Sequence, residues 1–225
     1  MKTIILSANS SRYLFNYRKS TIQHFIKIGC RVICVSKKDD CSEELLKLGA
    51  NWIHLEISSK GSNPFKDIKV VFRLFYIYIK HKPDVIYHFT IKNNIYGTWA
   101  AFFSNIPCIN NITGLGTAFI HKSFISYIVK VLYKLSQPLA HRVYCQNSND
   151  FKLILNQKLV PHKKLFLLPG SGIDINRFHP DLIKEKPKTF TFLFAGRLLA
   201  DKGIFELMES MKDINKNKII CNLWV

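Results

Sequence analysis

The fold is decided by the stretch Phe194-Ala195-Gly196-Arg197-Leu198-Leu199-Ala200-Asp201-Lys202-Gly203, in which a strand ends in Gly-Arg and a short loop leads into a helix. Gly196 permits close approach of the backbone, and the helix dipole favours an anion there. Arg197 and Lys202 supply charge-assisted hydrogen bonds. The junction therefore suits a diphosphate, although the same pattern taken alone is also that of a solvated basic turn.

Upstream of this junction, short β-rich runs alternate with amphipathic stretches of helical period, the pattern of parallel βα units. Seven strands are predicted, at Thr3–Ser7, Arg31–Val35, Asn51–Leu55, Asp84–Phe89, Pro107–Asn111, Arg142–Cys145 and Lys164–Leu168. Six helices are predicted between them, at Asn16–Ile28, Ser42–Leu48, Lys66–Lys80, Asn94–Asn105, Lys122–Gln137 and Ser148–Gln157. The alternation predicts an α/β fold, a doubly wound parallel sheet with helices on both faces.

A change of composition after Leu168 predicts a domain boundary. Pro169-Gly170-Ser171-Gly172 opens a polar, proline-containing connection. We predict a first domain at 1–170, a connector at 171–188 and a second domain from 189–225. The second domain would hold a strand at Phe190–Ala195, a helix at Lys202–Asp213 and a strand at Lys218–Val225. One βαβ unit cannot cover both faces of its sheet, so we expect this domain to be truncated.

The charge balance indicates an acidic partner. Thirty-three Lys and Arg stand against fifteen Asp and Glu, a net charge of +18, and 48% of the residues are hydrophobic, which excludes general disorder. In two basic stretches, Lys60–Lys82 and His121–Arg142, aromatic and aliphatic residues stand between the basic ones. These stretches fit interfacial helices on anionic lipid. A core-facing stripe with solvated lysines is an equal alternative, and nucleic acid is disfavoured because no binding module is recognisable.

Compartment and cysteine chemistry follow from simple patterns. The apolar run Ile4-Ile5-Leu6 is too short for a secretory signal, and no stretch approaches the length of a membrane span, so a cytoplasmic protein is expected. Six cysteines without an oxidising compartment predict reduced, mostly buried thiols. The spacing of Cys30 and Cys34 does not match the usual zinc or redox pairs, so no metal site is predicted.

Three separated motifs resemble glycosyltransferase family 4, the retaining transferases of GT-B fold. The first is Leu167–Pro180 followed by Gly-Arg-x4-Lys-Gly, which matches N-G-[VI]-D-x-x-x-F-x-P and G-R-L-x-x-x-K-G except that Ser171 replaces Asn. The others are the opening Ser7–Arg18 and the paired blocks Phe89–Gly97 and Ile109–Phe119. These resemble a bacterial branch that builds lipid-linked oligosaccharides and surface polysaccharides.

The resemblance implies roles for the second domain. Arg197 and Lys202 match the pair that holds the donor diphosphate and stabilises the leaving nucleoside diphosphate, with Gly196 beside them. These cations would take the place of a metal, so no metal and no cofactor are expected, the nucleotide-sugar being a substrate. Family members also carry an E-x7-E pair further on, and we expect the recorded sequence to stop before it.

In the first domain, we predict that the loop Ala8–Asn16 faces the cleft and that Asn16 or Arg18 contacts the acceptor. The turn after strand five supplies Thr113, Gly114 and Gly116, for which a flexible turn is an equal alternative. His88 and His121 are the histidines nearest the cleft, with a structural role favoured over an acceptor contact. No GxGxxG follows the first strand, which disfavours a dinucleotide-dependent dehydrogenase.

The resemblance, together with the basic charge, implies a retaining glycosyltransferase. It would move a sugar, an N-acetylhexosamine or a hexose, from a nucleotide-sugar such as a UDP-sugar to a polyprenyl-diphosphate-linked or polysaccharide acceptor. It would act at the inner face of the cell membrane as a peripheral protein. The alternative is a non-catalytic truncated remnant that binds acceptor or anionic lipid only.

Overall fold

The computed structural model describes residues 1–58, 64–115, 124–175, 178–179, 189–196, 198–217 and 221–225. They form two compact units, Met1–Gly172 and Ile173–Val225. Most of the predicted connector 171–188 lies outside the described residues, so the domain boundaries proposed from the sequence stay predictions.

The first unit is built on a parallel sheet of seven strands. They are β1 (Thr3–Ser7), β2 (Arg31–Ser36), β3 (Asn51–His54), β4 (Val85–Phe89), β5 (Cys108–Ile112), β6 (Arg142–Cys145) and β7 (Leu165–Leu167). Their order is β3-β2-β1-β4-β5-β6-β7, and every pairing is parallel. The predicted α/β class is confirmed, and each of the seven strands predicted for this unit is found within one residue of its expected ends.

In the described residues, six α-helices lie between these strands. They are α1 (Ser11–Lys27), α2 (Ser42–Lys47), α3 (Pro64–His81), α4 (Thr98–Phe103), α5 (Phe124–Ser136) and α6 (Ser148–Asn156). A π-helical turn at Asn93–Gly97 leads into α4. Short 3-10 turns occupy Gln137–Leu139 and His162–Lys164.

The sheet is buried on both faces because its strands carry apolar residues at successive positions. Ile4 and Leu6 join the core on the side of α1 and α2, whereas Ile5 joins the core on the side of α3 and α5. This alternation is that of a pleated strand with both faces covered, as parallel sheets require. The six cysteines are free thiols, and Cys34 is among those that are fully buried.

The second unit contains the predicted strand, helix and strand. A parallel pair joins β8 (Thr191–Leu193) to β9 (Asn222–Trp224), and α7 (Ile204–Lys216) lies between them in the chain. A 3-10 turn at Ala200–Lys202 precedes α7.

Candidate functional site

The candidate site lies at the carboxyl edge of the seven-stranded sheet, where β1 and β4 pair side by side. The chain builds the sheet from β1 to β3 in one direction and then from β4 to β7 in the other. The connections after β1 and β4 therefore leave the edge in opposite directions. Doubly wound folds bind ligands in the crevice that this switch of strand order creates. The residues that follow β1, β4 and β5 line the site.

The connection after β1 is shorter than predicted. Helix α1 begins at Ser11, so the loop comprises only residues 8–10, and the prediction of a loop that extends to Asn16 is wrong. The hydroxyl of Ser11 is buried and lies 2.8 Å from that of Ser36 and 2.9 Å from that of Ser42. These bonds fix the first turn of the helix against the end of β2. Ser10 is the N-cap of α1, and its side chain accepts a hydrogen bond from the backbone N–H of Tyr13, the third residue of the helix.

The two side chains of α1 that were predicted to contact the acceptor have opposite environments. Asn16 is exposed, whereas Arg18 is buried. The Arg18 Nη2 atom donates to the Tyr13 hydroxyl at 3.0 Å, and its guanidinium carbon lies 4.4 Å from the ring centroid of Phe89. Because Phe89 is the last residue of β4, the Arg18 guanidinium lies at the carboxyl edge of the sheet. Whether either residue contacts an acceptor stays a prediction.

A strained turn follows β4. Thr90 has a φ of +71°, a conformation that β-branched residues rarely adopt. The Asn93 side chain accepts a hydrogen bond from the Ser7 hydroxyl at 2.5 Å and donates one to the Thr90 hydroxyl at 3.1 Å. Ser7 is the last residue of β1, so its hydrogen bond to Asn93 joins the end of β1 to the turn after β4. Strain of this kind persists where surrounding contacts enforce it, and it clusters at functional sites.

A half-buried ion pair places a cation beside this turn. The Lys92 Nζ atom lies 2.7 Å from Asp67 Oδ1, and the Tyr96 hydroxyl donates to Asp67 Oδ2 at 2.8 Å. The pKa of Tyr96 is raised, first by burial and second by the Asp67 carboxylate. Lys92 was not among the predicted site residues. Lys92 follows a predicted strand by three residues, which indicates a position at the carboxyl edge of the sheet. Its partner Asp67 is twenty-five residues away and on a different element, so the ion pair could not be predicted in this way.

A buried polar network lies behind the edge on the α3 side of the sheet. Asn110 donates to Thr98 Oγ1 and to Gln137 Oε1, both at 2.7 Å, so its carbonyl oxygen accepts from His88 Nδ1 at 2.9 Å. We assign the proton to Nδ1 from this network, and the Tyr78 hydroxyl then donates to His88 Nε2 at 2.9 Å. Burial lowers the pKa of His88 to about 4, so the imidazole is neutral near pH 7.

This network decides the role of one predicted histidine. His88 has no exposed surface, so it cannot contact an acceptor, and the structural role is the correct one. His121, the other histidine expected near the cleft, lies outside the described residues.

The connection after β5 reaches the same edge. Thr113 and Gly114 follow the last residue of β5 directly and are half-buried. Gly116, the third residue predicted there, lies outside the described residues. The structure thus brings Thr113 and Gly114 to the edge that carries Thr90, because β4 and β5 are parallel neighbours.

In the second unit, the predicted donor site falls on a strand, turn and helix in the expected order. Gly196 follows β8 and is exposed, and Lys202 is an exposed residue that ends the 3-10 turn before α7. Gly203 links that turn to α7 with a φ of +74°, a conformation that favours glycine. Arg197 lies outside the described residues. The roles of these residues toward a donor stay predictions.

A groove of about 420 Å³ lies away from this site. It is lined by Lys134, Pro138, Leu155, Lys158, Val160, Pro161 and His162. These residues precede β6 and β7 in the chain, so the groove opens at the amino edge of the sheet. It therefore takes no part in the candidate site at the carboxyl edge.

Comparison with known proteins gives a family match over residues 3–147, to the model described as glycosyl transferase 4-like. One relative is the N,N'-diacetylbacillosaminyl-diphospho-undecaprenol alpha-1,3-N-acetylgalactosaminyltransferase of Campylobacter jejuni, 25% identical over 88% of this chain and 56% of the relative. Another is the UDP-Gal:alpha-D-GlcNAc-diphosphoundecaprenol alpha-1,3-galactosyltransferase of Escherichia coli, 25% identical over 69% of this chain and 42% of the relative. The chain thus spans about half the length of these relatives.

Among solved structures, HepE of Anabaena in complex with UDP and glucose matches with a TM-score of 0.68. It is 13% identical, and the match covers 99% of this chain and 61% of that one. At this identity the likeness shows the fold alone.

Proposed function

The chain belongs to the glycosyl transferase 4-like family, and from this premise we propose that it is the acceptor-binding part of a retaining glycosyltransferase. The enzyme would move an N-acetylhexosamine or a hexose from a nucleotide-sugar to a polyprenyl-diphosphate-linked or polysaccharide acceptor. The family match over 3–147 falls within the seven-stranded unit, and it carries the proposal. Both relatives described above act, by their names, on sugars linked to undecaprenol through a diphosphate.

The carboxyl edge of the sheet supports an anionic acceptor. Two cations reach it from different elements, Arg18 from α1 and Lys92 from the turn after β4. The Asn93–Ser7 hydrogen bond fixes the ends of the two central strands between them. A diphosphate-linked acceptor would find there the Arg18 cation, which no carboxylate of the described residues pairs, beside the Lys92–Asp67 ion pair and a fixed turn. This is the arrangement that preorganised binding needs.

The role that we propose for Arg197 and Lys202 needs permanent positive charge rather than a proton shuttle. Arg197 and Lys202 would hold the donor diphosphate and stabilise the charge that develops on it as the sugar leaves. An acceptor hydroxyl would attack the anomeric carbon of the sugar on the face that the diphosphate leaves: the carbon–oxygen bond to the diphosphate breaks, the glycosidic bond forms, and the hydroxyl proton passes to the departing diphosphate. Among the described residues, no cluster of three or more His, Cys, Asp or Glu side chains could hold a metal ion. That the reaction needs no metal stays part of the proposal.

The helices on one face of the sheet support binding to a membrane surface. Large apolar side chains recur every three or four residues along their outer sides and are exposed: Phe65, Ile68, Phe72 and Tyr76 on α3, and Phe124, Tyr127, Val131 and Leu135 on α5. By contrast, α1 exposes only Tyr17 among its large apolar residues. Basic residues flank both stripes, and α5 carries Lys130 and Lys134 without an acidic residue.

Stripes of this kind bury aromatic side chains at the headgroup boundary while lysines meet anionic lipid. No described helix is long and apolar enough to cross a membrane. We therefore propose that the α3 and α5 side of the unit lies on the inner face of the cell membrane, where a lipid-linked acceptor would be presented to the carboxyl edge of the sheet.

The experiment that tests the function is a donor screen with the full-length protein. Release of nucleoside diphosphate from one nucleotide-sugar, dependent on a polyprenyl-diphosphate-linked acceptor, is the expected result. A protein that binds acceptor-loaded vesicles and releases no nucleoside diphosphate from any donor would instead be a non-catalytic binding protein.

A further inference from the structure

Arg18 is a buried cation without a carboxylate partner in the described part of the chain. The residue is 6% exposed, and no carboxylate oxygen of the described residues lies within 4.0 Å of its nitrogens. Its Nη2 atom donates to the Tyr13 hydroxyl, whereas its Nε atom is fully buried and has no hydrogen-bond partner. The guanidinium therefore has an unused donor inside the protein and no described carboxylate beside it.

A buried cation with an unused hydrogen-bond donor is unfavourable unless a partner of opposite charge accepts from it. Removing a cation from water costs far more free energy than the faces of nearby rings return, although Phe89 at 4.4 Å and Tyr13 at 5.7 Å offset part of the cost. The other cation at this edge, Lys92, has the carboxylate of Asp67 at 2.7 Å. The imbalance at Arg18 would be removed by an anion.

The surroundings of Arg18 indicate what kind of anion fits. Because the Tyr13 hydroxyl accepts a hydrogen bond from Arg18, its own proton is free to be donated to a ligand. The Tyr13 ring lies 5.2 Å from that of Tyr17, which is 59% exposed, so an aromatic surface leads from solvent toward the guanidinium. Phosphoryl oxygens, like carboxylate oxygens, match the fork of guanidinium donors, and by their names both relatives act on acceptors that carry a diphosphate.

We propose that Arg18 and Tyr13 bind a phosphoryl group of the lipid-linked acceptor at the switch of strand order. The identity of the acceptor rests on the proposed function. The anion site itself rests on the burial of Arg18, its unpaired Nε atom and its position against Phe89 at the end of β4.

The test is thermal unfolding of the whole chain with three probes: inorganic pyrophosphate, farnesyl diphosphate and UDP. A ligand that binds only the folded state raises Tm. Arg18→Met removes the charge and keeps most of the side-chain length. Lys19→Met is the matched control, since Lys19 is the next residue of α1 and lies over the Phe15 ring.

Pyrophosphate and farnesyl diphosphate should raise the Tm of the wild type and of Lys19→Met, while Arg18→Met should bind either probe about tenfold or more weakly. The unliganded Arg18→Met protein should be as stable as the wild type or more so, because an uncompensated buried charge is gone. The proposal is overturned if no probe raises the wild-type Tm, or if Arg18→Met responds equally. A response to UDP alone would also overturn it, because that would place a nucleotide at Arg18.

A wild-type measurement covers the case in which Arg18→Met does not fold. The NMR signal of the buried Arg18 Nε–H group, assigned by its loss in Arg18→Lys, should shift on addition of pyrophosphate, and an unchanged signal would refute the site. None of these assays measures transfer. If the full-length protein shows no transferase activity, the proposed function is refuted but the anion site is not. If the enzyme is active and the Arg18 signal does not shift with pyrophosphate, the anion site is refuted but the proposed function is not.

Discussion

The backbone of Gly97 lies directly against the imidazole ring of His88, and a methyl group added at Gly97 would overlap with that ring. Gly97 has helical torsion angles, so its conformation does not require glycine. The requirement comes from packing, because the ring is held between Tyr78 and Asn110 and cannot move aside.

Replacing Gly97 with alanine should destabilise the protein by about 2 kcal/mol. Alanine in a helix is favoured over glycine by about 1 kcal/mol, but overpacking a rigid core costs about 1 to 3 kcal/mol and the overlap here is with a fixed ring. Chemical unfolding at pH 7 measures the change. Gly29→Ala is the comparison, because Gly29 has a φ of +80° and open space around it, so only backbone strain of about 1 kcal/mol applies. A Gly97→Ala protein more stable than the wild type would contradict the packing.

Stability should fall as the pH is lowered from about 6.5 to about 4. The pKa of His88 is lowered by burial from its ordinary value of 6.5 to about 4. Between these values the unfolded chain binds a proton that the folded chain does not, so the free energy of unfolding increases with pH across this window. The full effect is on the order of 3 kcal/mol.

The variant His88→Asn isolates this contribution, because asparagine can hydrogen-bond but does not titrate. Its free energy of unfolding should be lower than that of the wild type at pH 7 and should change less between pH 6.5 and pH 4. If the two proteins lose stability in parallel over that range, His88 is not the group responsible.

Neutralising Lys122, Lys130 and Lys134 together should release the protein from anionic vesicles. Each lysine near an anionic surface contributes about 1 kcal/mol, so partitioning should weaken by about a hundredfold. Sedimentation with vesicles measures the effect, and high salt should mimic it.

The matched control for this experiment neutralises Lys19, Lys27 and Lys47. These residues lie on α1 and α2, which cover the opposite face of the sheet. The control removes the same net charge and should leave vesicle binding largely intact. Equal loss in both variants would show that net charge rather than the α3 and α5 side governs binding.

Replacing Arg197 with alanine in the full-length enzyme should lower transfer by about a hundredfold or more, the scale expected when one preorganised charge is lost. The initial rate of nucleoside diphosphate release measures the effect. Lys212→Ala, an exposed lysine on α7, is the control and should keep the wild-type rate. Wild-type turnover in Arg197→Ala would refute the diphosphate role.

Several features of this protein can be predicted from short segments of its sequence. Runs such as Val32–Val35 are apolar at successive positions because both faces of a parallel strand are buried, and the alternation with helical stretches predicts the doubly wound sheet. The start of α1 was also available locally, since Ser10 is a good N-cap residue. These signals suffice because they depend on neighbours within a few positions.

The environment of each site residue was decided only by tertiary structure. The sequence predicts Asn16 at the junction of a loop and a helix and Arg18 inside that helix, but only the packing of α1 exposes the first and buries the second against Phe89. The pairing of Lys92 with Asp67 joins different elements, and no local pattern contains it. Hydrophobic period is a property of neighbouring residues, whereas burial and the choice of partner depend on contacts between segments far apart in the chain.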